Sequence, residues 1–143
     1  MRARQATVGD LETVFHDLSK RMSDEYAAAG KDSKFAYDNL MMNLGEGRAH
    51  VLLQDDRPVA IIAWHEEDDA ADTLFAAQDD FFSASTVRFC KGHIRRIQAL
   101  TGNLPIRSRS WIDHPDVGRW FQIIGYVEQE RQNGARLFVL PPL

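Results

Sequence analysis

Two spacings of apolar residues alternate along the chain. After Thr7, the residues Leu11, Val14, Phe15, Leu18 and Met22 recur at the period of an amphipathic helix. "TVGD" opens that run as a capping box, with Thr7 at the N-cap and Asp10 at the third helical position. Gly30 separates it from a second helical run, which starts at Asp32 or Ser33 and carries Phe35, Ala36, Leu40, Met41 and Leu44. Gly45 and Gly47 end that run, and residues 4–6 read as a short first strand.

The period then changes. "AHVLLQ" and "VAIIAW" flank "DDRP", which predicts a hairpin turning on Asp55, Asp56 and Pro58. An acidic loop, "HEEDDAAD", leads to a further strand over Thr73–Gln78. A basic helix is predicted over Ser85–Thr101, with Val87, Cys90, Ile94 and Ile97 on its inner face. "PIRSRSWI" reads as a strand, and His114–Ile124 as a short helix with Pro115 in its first turn. "YVEQERQNGARLFVL" forms a hairpin around Asn133-Gly134. The order β-α-α-β-β-β-α-β-α-β-β predicts a mixed α/β sheet of six or seven strands in one domain, residues 1–143.

Composition narrows the function classes. A chain of 143 residues can bury a real core. Its net charge of −4 argues against bulk nucleic-acid binding, although a local basic patch is compatible with it. No stretch approaches the roughly 18 apolar residues of a membrane span. "MRARQATVGDLE" also lacks the apolar core of a secretion signal, so the expected location is the cytoplasm. Cys90 is the only cysteine, which rules out an internal disulfide and a cysteine-rich zinc site. The five histidines show no helical pairing with acids that would hold a metal, and none is expected.

The order of elements, with "RQATVGDLETVFHDL" near the start and "HPDVGRWFQIIGY" near the end, resembles the GNAT fold of acetyl-CoA-dependent N-acetyltransferases. The resemblance implies a mixed, mostly antiparallel central sheet of six to seven strands flanked by about four helices. In that family an Asn, an Ala and a Tyr precede a Gly-aromatic pair; here those places hold His114, Val117 and Phe121, before Gly125-Tyr126. A narrower resemblance runs through "RPVAIIAW", "TLFAAQDDFFSASTVRFCKGHIRRIQAL" and "RSWIDHPDVGRWFQIIGYVEQE". It is to the small GNAT-like internal virion or head-assembly proteins of short-tailed bacteriophages.

The chemistry such a transferase needs can be compared with the residues present. The family usually grips the cofactor pyrophosphate with a Gln/Arg-x-x-Gly-x-Gly/Ala loop at a helix N-terminus, where bare backbone N–H groups approach the phosphates. The corresponding stretch here, "QDDFFSASTVRF", has no glycine, and Asp79 and Asp80 repel phosphate. The simplest reading is that Asp79, Asp80 or Ser83 caps the helix while Phe81 and Phe82 pack. Candidate cofactor contacts are Phe82, Ser83, Ser85 and Arg88. Phe121 has no hydroxyl to give to a leaving thiolate and reads as core; Tyr126 reads first as a packing residue where the family places Phe, and is the candidate acid. Glu66 and Glu67 are the candidate bases, against a plain reading as a solvated acidic loop. Arg88, Lys91, Arg95 and Arg96 form a basic helix flank, and Cys90 falls on the apolar face as inert core.

The leading expectation is therefore a phage or prophage assembly protein with a degenerate acetyl-CoA site. It would need no cofactor and would bind virion or host proteins. The alternative is an acetyl-CoA-dependent N-acetyltransferase acting on an amine.

Overall fold

The computed structural model describes residues 1–143. The strands are β1 (Arg2–Gln5), β2 (Ala49–Gln54), β3 (Arg57–Glu67), β4 (Ala70–Ala77), β5 (Ile106–Ser110), β6 (Val127–Gln132) and β7 (Ala135–Leu140). The helices are α1 (Val8–His16), α2 (Lys20–Ala28), α3 (Ser33–Gly45), α4 (Ala84–Leu100) and α5 (Pro115–Ile124). A short 3₁₀ turn, Asp79–Phe81, precedes α4. The strands form one seven-stranded, mostly antiparallel sheet in the order β1-β2-β3-β4-β5-β7-β6. β4 and β5 run parallel, which requires a crossover, and α4 supplies it. This is the architecture of the GNAT fold. By contacts the chain divides into two compact units, residues 1–65 with 74–83, and 66–73 with 84–143.

In the first unit α1 and α3 lay Leu11, Val14 and Leu40 over Val51, Leu53, Ile61 and Ala76 of the strands. The capping box forms as its chemistry predicts: Asp10 N–H donates to Thr7 Oγ1 at 3.2 Å, and Thr7 N–H donates to Asp10 Oδ2 at 2.8 Å. The apolar run expected as one helix to Met22 is two. Ser19 caps α2 by accepting from Met22 N–H, while its own N–H donates to the Ala77 carbonyl on β4. A tertiary hydrogen bond thus sets the break, and Leu18 lies between the helices.

The acidic stretch is not a long loop. β3 extends to Glu67 and β4 starts at Ala70, so only Asp68 and Asp69 turn the chain. Both have positive φ, 52° and 59°, as a tight hairpin turn requires and as Asp tolerates better than most residues. Asp55-Asp56 and Asn133-Gly134 turn in the same way.

In the second unit, α4 buries Cys90, Ile94 and Ile97, as its spacing predicts, and also Thr86, His93 and Gln98. Gln98 Nε2 donates to the carbonyls of Leu104, Leu140 and Pro141, and so ties the end of β7 to the helix. His114 caps α5, its Nδ1 accepting from Asp116 N–H. α5 ends at Gly125, whose φ of 114° suits glycine alone. Phe121 stacks on Phe138 with ring centroids 4.3 Å apart.

Candidate functional site

β4 and β5 are in parallel register at Ala71↔Ile106 and Asp72↔Arg107. The next residue of each strand carries a hydroxyl. Thr73 Oγ1 lies 2.5 Å from Ser108 Oγ and donates to the Arg107 carbonyl at 3.1 Å, which leaves Ser108 to donate in the pair. Ser108 Oγ lies 3.5 Å from the Tyr126 hydroxyl. Three hydroxyls thus form a chain, and Tyr126 at its end is 5% exposed. Burial pushes the Tyr126 phenol far up, only partly offset by Ser108, so it keeps its proton at neutral pH. A phenol in that state can donate a proton but cannot act as a base.

Alternation along β5 sorts its side chains. Ser108 and Ser110 are buried, while Arg107 and Arg109 lie with Asp72. Arg107 holds Asp72 with two N–H groups at 2.7 and 3.0 Å and also donates to the Glu67 carbonyl at 3.2 Å. Arg109 adds a third bond to Asp72 at 3.2 Å. The hydrogen bond to Asp72 raises the Arg107 guanidinium further above its ordinary value, against the smaller opposing effect of burial.

Glu66 and Glu67 stand exposed at the end of β3, beside the Asp68-Asp69 turn. Tyr126 is carried by the chain leaving α5 and is brought to Ser108 and Thr73. Neither hydroxyl partner was among the residues singled out in the sequence. The signal for Ser108 was the alternation in "IRSRS", which puts two serines on one face and two arginines on the other; nothing local marks Thr73.

The glycine-free junction folds as a tight turn. Phe81 N–H donates to the Gln78 carbonyl, Phe82 N–H to Asp79 and Ser83 N–H to Phe81, at 3.1, 3.1 and 2.9 Å. These amides are committed within the turn. Phe81 is fully buried and packs on Phe75. Arg21 lies over the Phe82 ring at 4.6 Å, and Arg57 pairs with Asp80 at 3.0 Å, which counters part of the acidic charge. Ser85 and Arg88 follow as exposed residues of α4.

The fold and the parallel β4–β5 pair define a GNAT-type architecture, and solved structures agree. The chain is similar to a PaiA N-acetyltransferase from Thermoplasma acidophilum in complex with coenzyme A, with TM-score 0.74 and 12% identity, covering 99% of this chain and 98% of that one. It is similar to the GNAT domain of S. lividans PAT, at 0.71 and 15%, covering 96% and 88%. The ribosomal-protein-S18-alanine N-acetyltransferase from Escherichia coli matches at 0.71 and 14%, covering 99% and 93%. No protein-family model matches the sequence, and no curated protein is significantly similar to it. No helix is long and apolar enough to cross a membrane.

Proposed function

We propose that this protein is an acyl-CoA-dependent N-acetyltransferase. The observation that carries the proposal is the hydroxyl chain Thr73–Ser108–Tyr126, which starts one residue beyond the β4–β5 register. Transfer of an acetyl group from a thioester to an amine forms a C–N bond and breaks a C–S bond. The amine loses a proton, and the leaving thiolate gains one. Tyr126 is proposed as the donor to the thiolate: its proton passes to the sulfur, and Ser108 can then turn its hydroxyl from Thr73 to the phenolate oxygen left behind. Glu66 or Glu67 is proposed to take the amine proton through water. Ser85, Arg88 and the first turn of α4 are proposed to receive cofactor phosphate. The neighbours with acetyltransferase activity in their names support this reading over an assembly role.

A second reading keeps the scaffold without the chemistry, as a virion or host-binding assembly protein. One observation favours it: the amides of Phe81, Phe82 and Ser83 are already used inside the turn. Calorimetric titration with coenzyme A and acetyl-CoA separates the two. Micromolar binding, followed by cofactor-dependent acetylation of an amine panel, is the expected result. Absence of binding at millimolar cofactor would reject the enzyme reading and leave the scaffold reading.

A further inference from the structure

We infer that the outer face of α4 docks onto the acidic β3–β4 turn of a second copy of this chain. The helix sequence "ASTVRFCKGHIRRIQAL" contains no acidic residue. Nearly every other cation of the protein is engaged: Arg4 with Asp10, Arg57 with Asp80, Arg107 and Arg109 with Asp72, Arg131 with Asp113, Arg136 with Glu128. Arg88, Lys91 and Arg96 are exposed and form no ion pair, hydrogen bond or ring contact. They span about 12 Å along one side of the helix.

Gly92 sits in the middle of these cations. It is exposed, and a Cβ built there meets nothing within 4 Å. Internal packing therefore does not demand glycine, although glycine weakens a helix interior. Its effect is to leave a bare patch of helix ringed by positive charge, open to close approach.

The matching shape and charge lie in the same compact unit. Glu66, Glu67, Asp68 and Asp69 are all exposed around a two-residue turn, and Asp68 and Asp69 form no salt bridge. The two strands behind such a tip are about 5 Å apart, narrow enough to seat over a glycine. Each copy carries one basic face and one acidic tip, so a two-fold pair can make the contact twice. Polyanions such as nucleic acid are disfavoured by the overall charge of −4, whose repulsion grows with the length of the polyanion. At about 0.1 M salt the screening length is about 10 Å, so facing charges at the contact still attract while whole-molecule repulsion is damped.

Sedimentation velocity on the full chain without cofactor tests this, and the charge reversals leave Arg88, Glu66 and Glu67 in place, so the outcome is read apart from acetyl transfer. The expected result is a dimer at micromolar concentration in 0.1 M salt that dissociates in 1 M salt. K91E+R96E should weaken it at least tenfold, as should D68K+D69K, and mixing the two variants should restore a mixed dimer. In 1 M salt, where the wild type is also monomeric, Gly92→Gln should raise the melting temperature, because glycine no longer weakens the helix, and yet in 0.1 M salt it should abolish the dimer. That pair of opposite effects distinguishes lost docking from lost folding. A monomer at all salt concentrations overturns the inference, as does association that ignores both charge reversals. A monomer that instead binds oligo-glutamate through Lys91 and Arg96 assigns the face to an acidic partner protein and also overturns it.

Discussion

Asp10 offers a quantitative test of how α1 is held. Its carboxylate is 6% exposed and accepts from Thr7 N–H at 2.8 Å and from two Arg4 nitrogens at 2.6 and 3.1 Å. Asp10→Ala removes the acceptor for Thr7 N–H, worth about 1 kcal/mol as a capping bond. It also removes a negative charge from the first turn of a helix, worth roughly 0.5–1 kcal/mol. The Arg4 side chain is partly exposed, so its pair with Asp10 is screened by water and adds little; the expected loss is therefore about 1.5–2 kcal/mol. For a chain of 143 residues that corresponds to a fall of about 5–7 °C in melting temperature.

The pH dependence follows from the same contacts. Burial pulls the Asp10 carboxyl up, but hydrogen bonds from Arg4 and Thr7 outweigh it and leave it below the ordinary carboxylate value. The unfolded chain therefore takes up the Asp10 proton at higher pH than the folded one. The stabilisation is fully present above the unfolded value near 4 and is lost as pH falls through the folded value. Asp10→Asn keeps one acceptor oxygen and loses the charge. Urea unfolding of wild type and Asp10→Asn at pH 7, 5 and 2.5 should give an equal gap at the first two and a much smaller gap at the last. A gap that is constant down to pH 2.5, or that widens there, refutes the assignment.

Three further outcomes are expected. Tyr126→Phe should barely change stability, because its hydroxyl makes one long contact of 3.5 Å and the Thr73–Ser108 bond survives; if Tyr126 is the acid, the acetylation rate constant should fall about 10²–10⁴-fold with the cofactor dissociation constant unchanged. Gly125→Ala should lower stability by about 1–3 kcal/mol by chemical denaturation, since φ is 114° and the new Cβ would sit 3.4 Å from Leu140 Cδ1. Burial pushes the Cys90 thiol up to about 12, so at pH 8 it should react with a thiol reagent only after denaturant is added.

The local devices were legible in the sequence because near neighbours decide them. The Thr7–Asp10 box, the His114-Pro115 start of α5, the Asn133-Gly134 turn and the apolar stripe of α4 each depend on residues within about one turn. Their order was enough to suggest a GNAT-like sheet. The β3–β4 turn was missed because Asp68-Asp69 lies inside an acidic run, Glu66–Asp69, and the strands reach to it on both sides, β3 as far as Glu67 and β4 from Ala70. The break before α2 was hidden because the Ser19 bond goes to Ala77, far along the chain.

Tertiary structure alone decided which polar groups meet. "IRSRS" shows alternation, but only the pairing of β5 with β4 places Ser108 against Thr73 and Arg107 against Asp72, about 35 residues away. A shift of one residue would exchange the serine and arginine faces. Tyr126 could be picked out as the only tyrosine after α5, yet its burial and its partner come from the packing of that segment on β5. The sequence determined the elements through short-range periodicity and capping. The register between strands, set by burying one face of each, determined the chemistry.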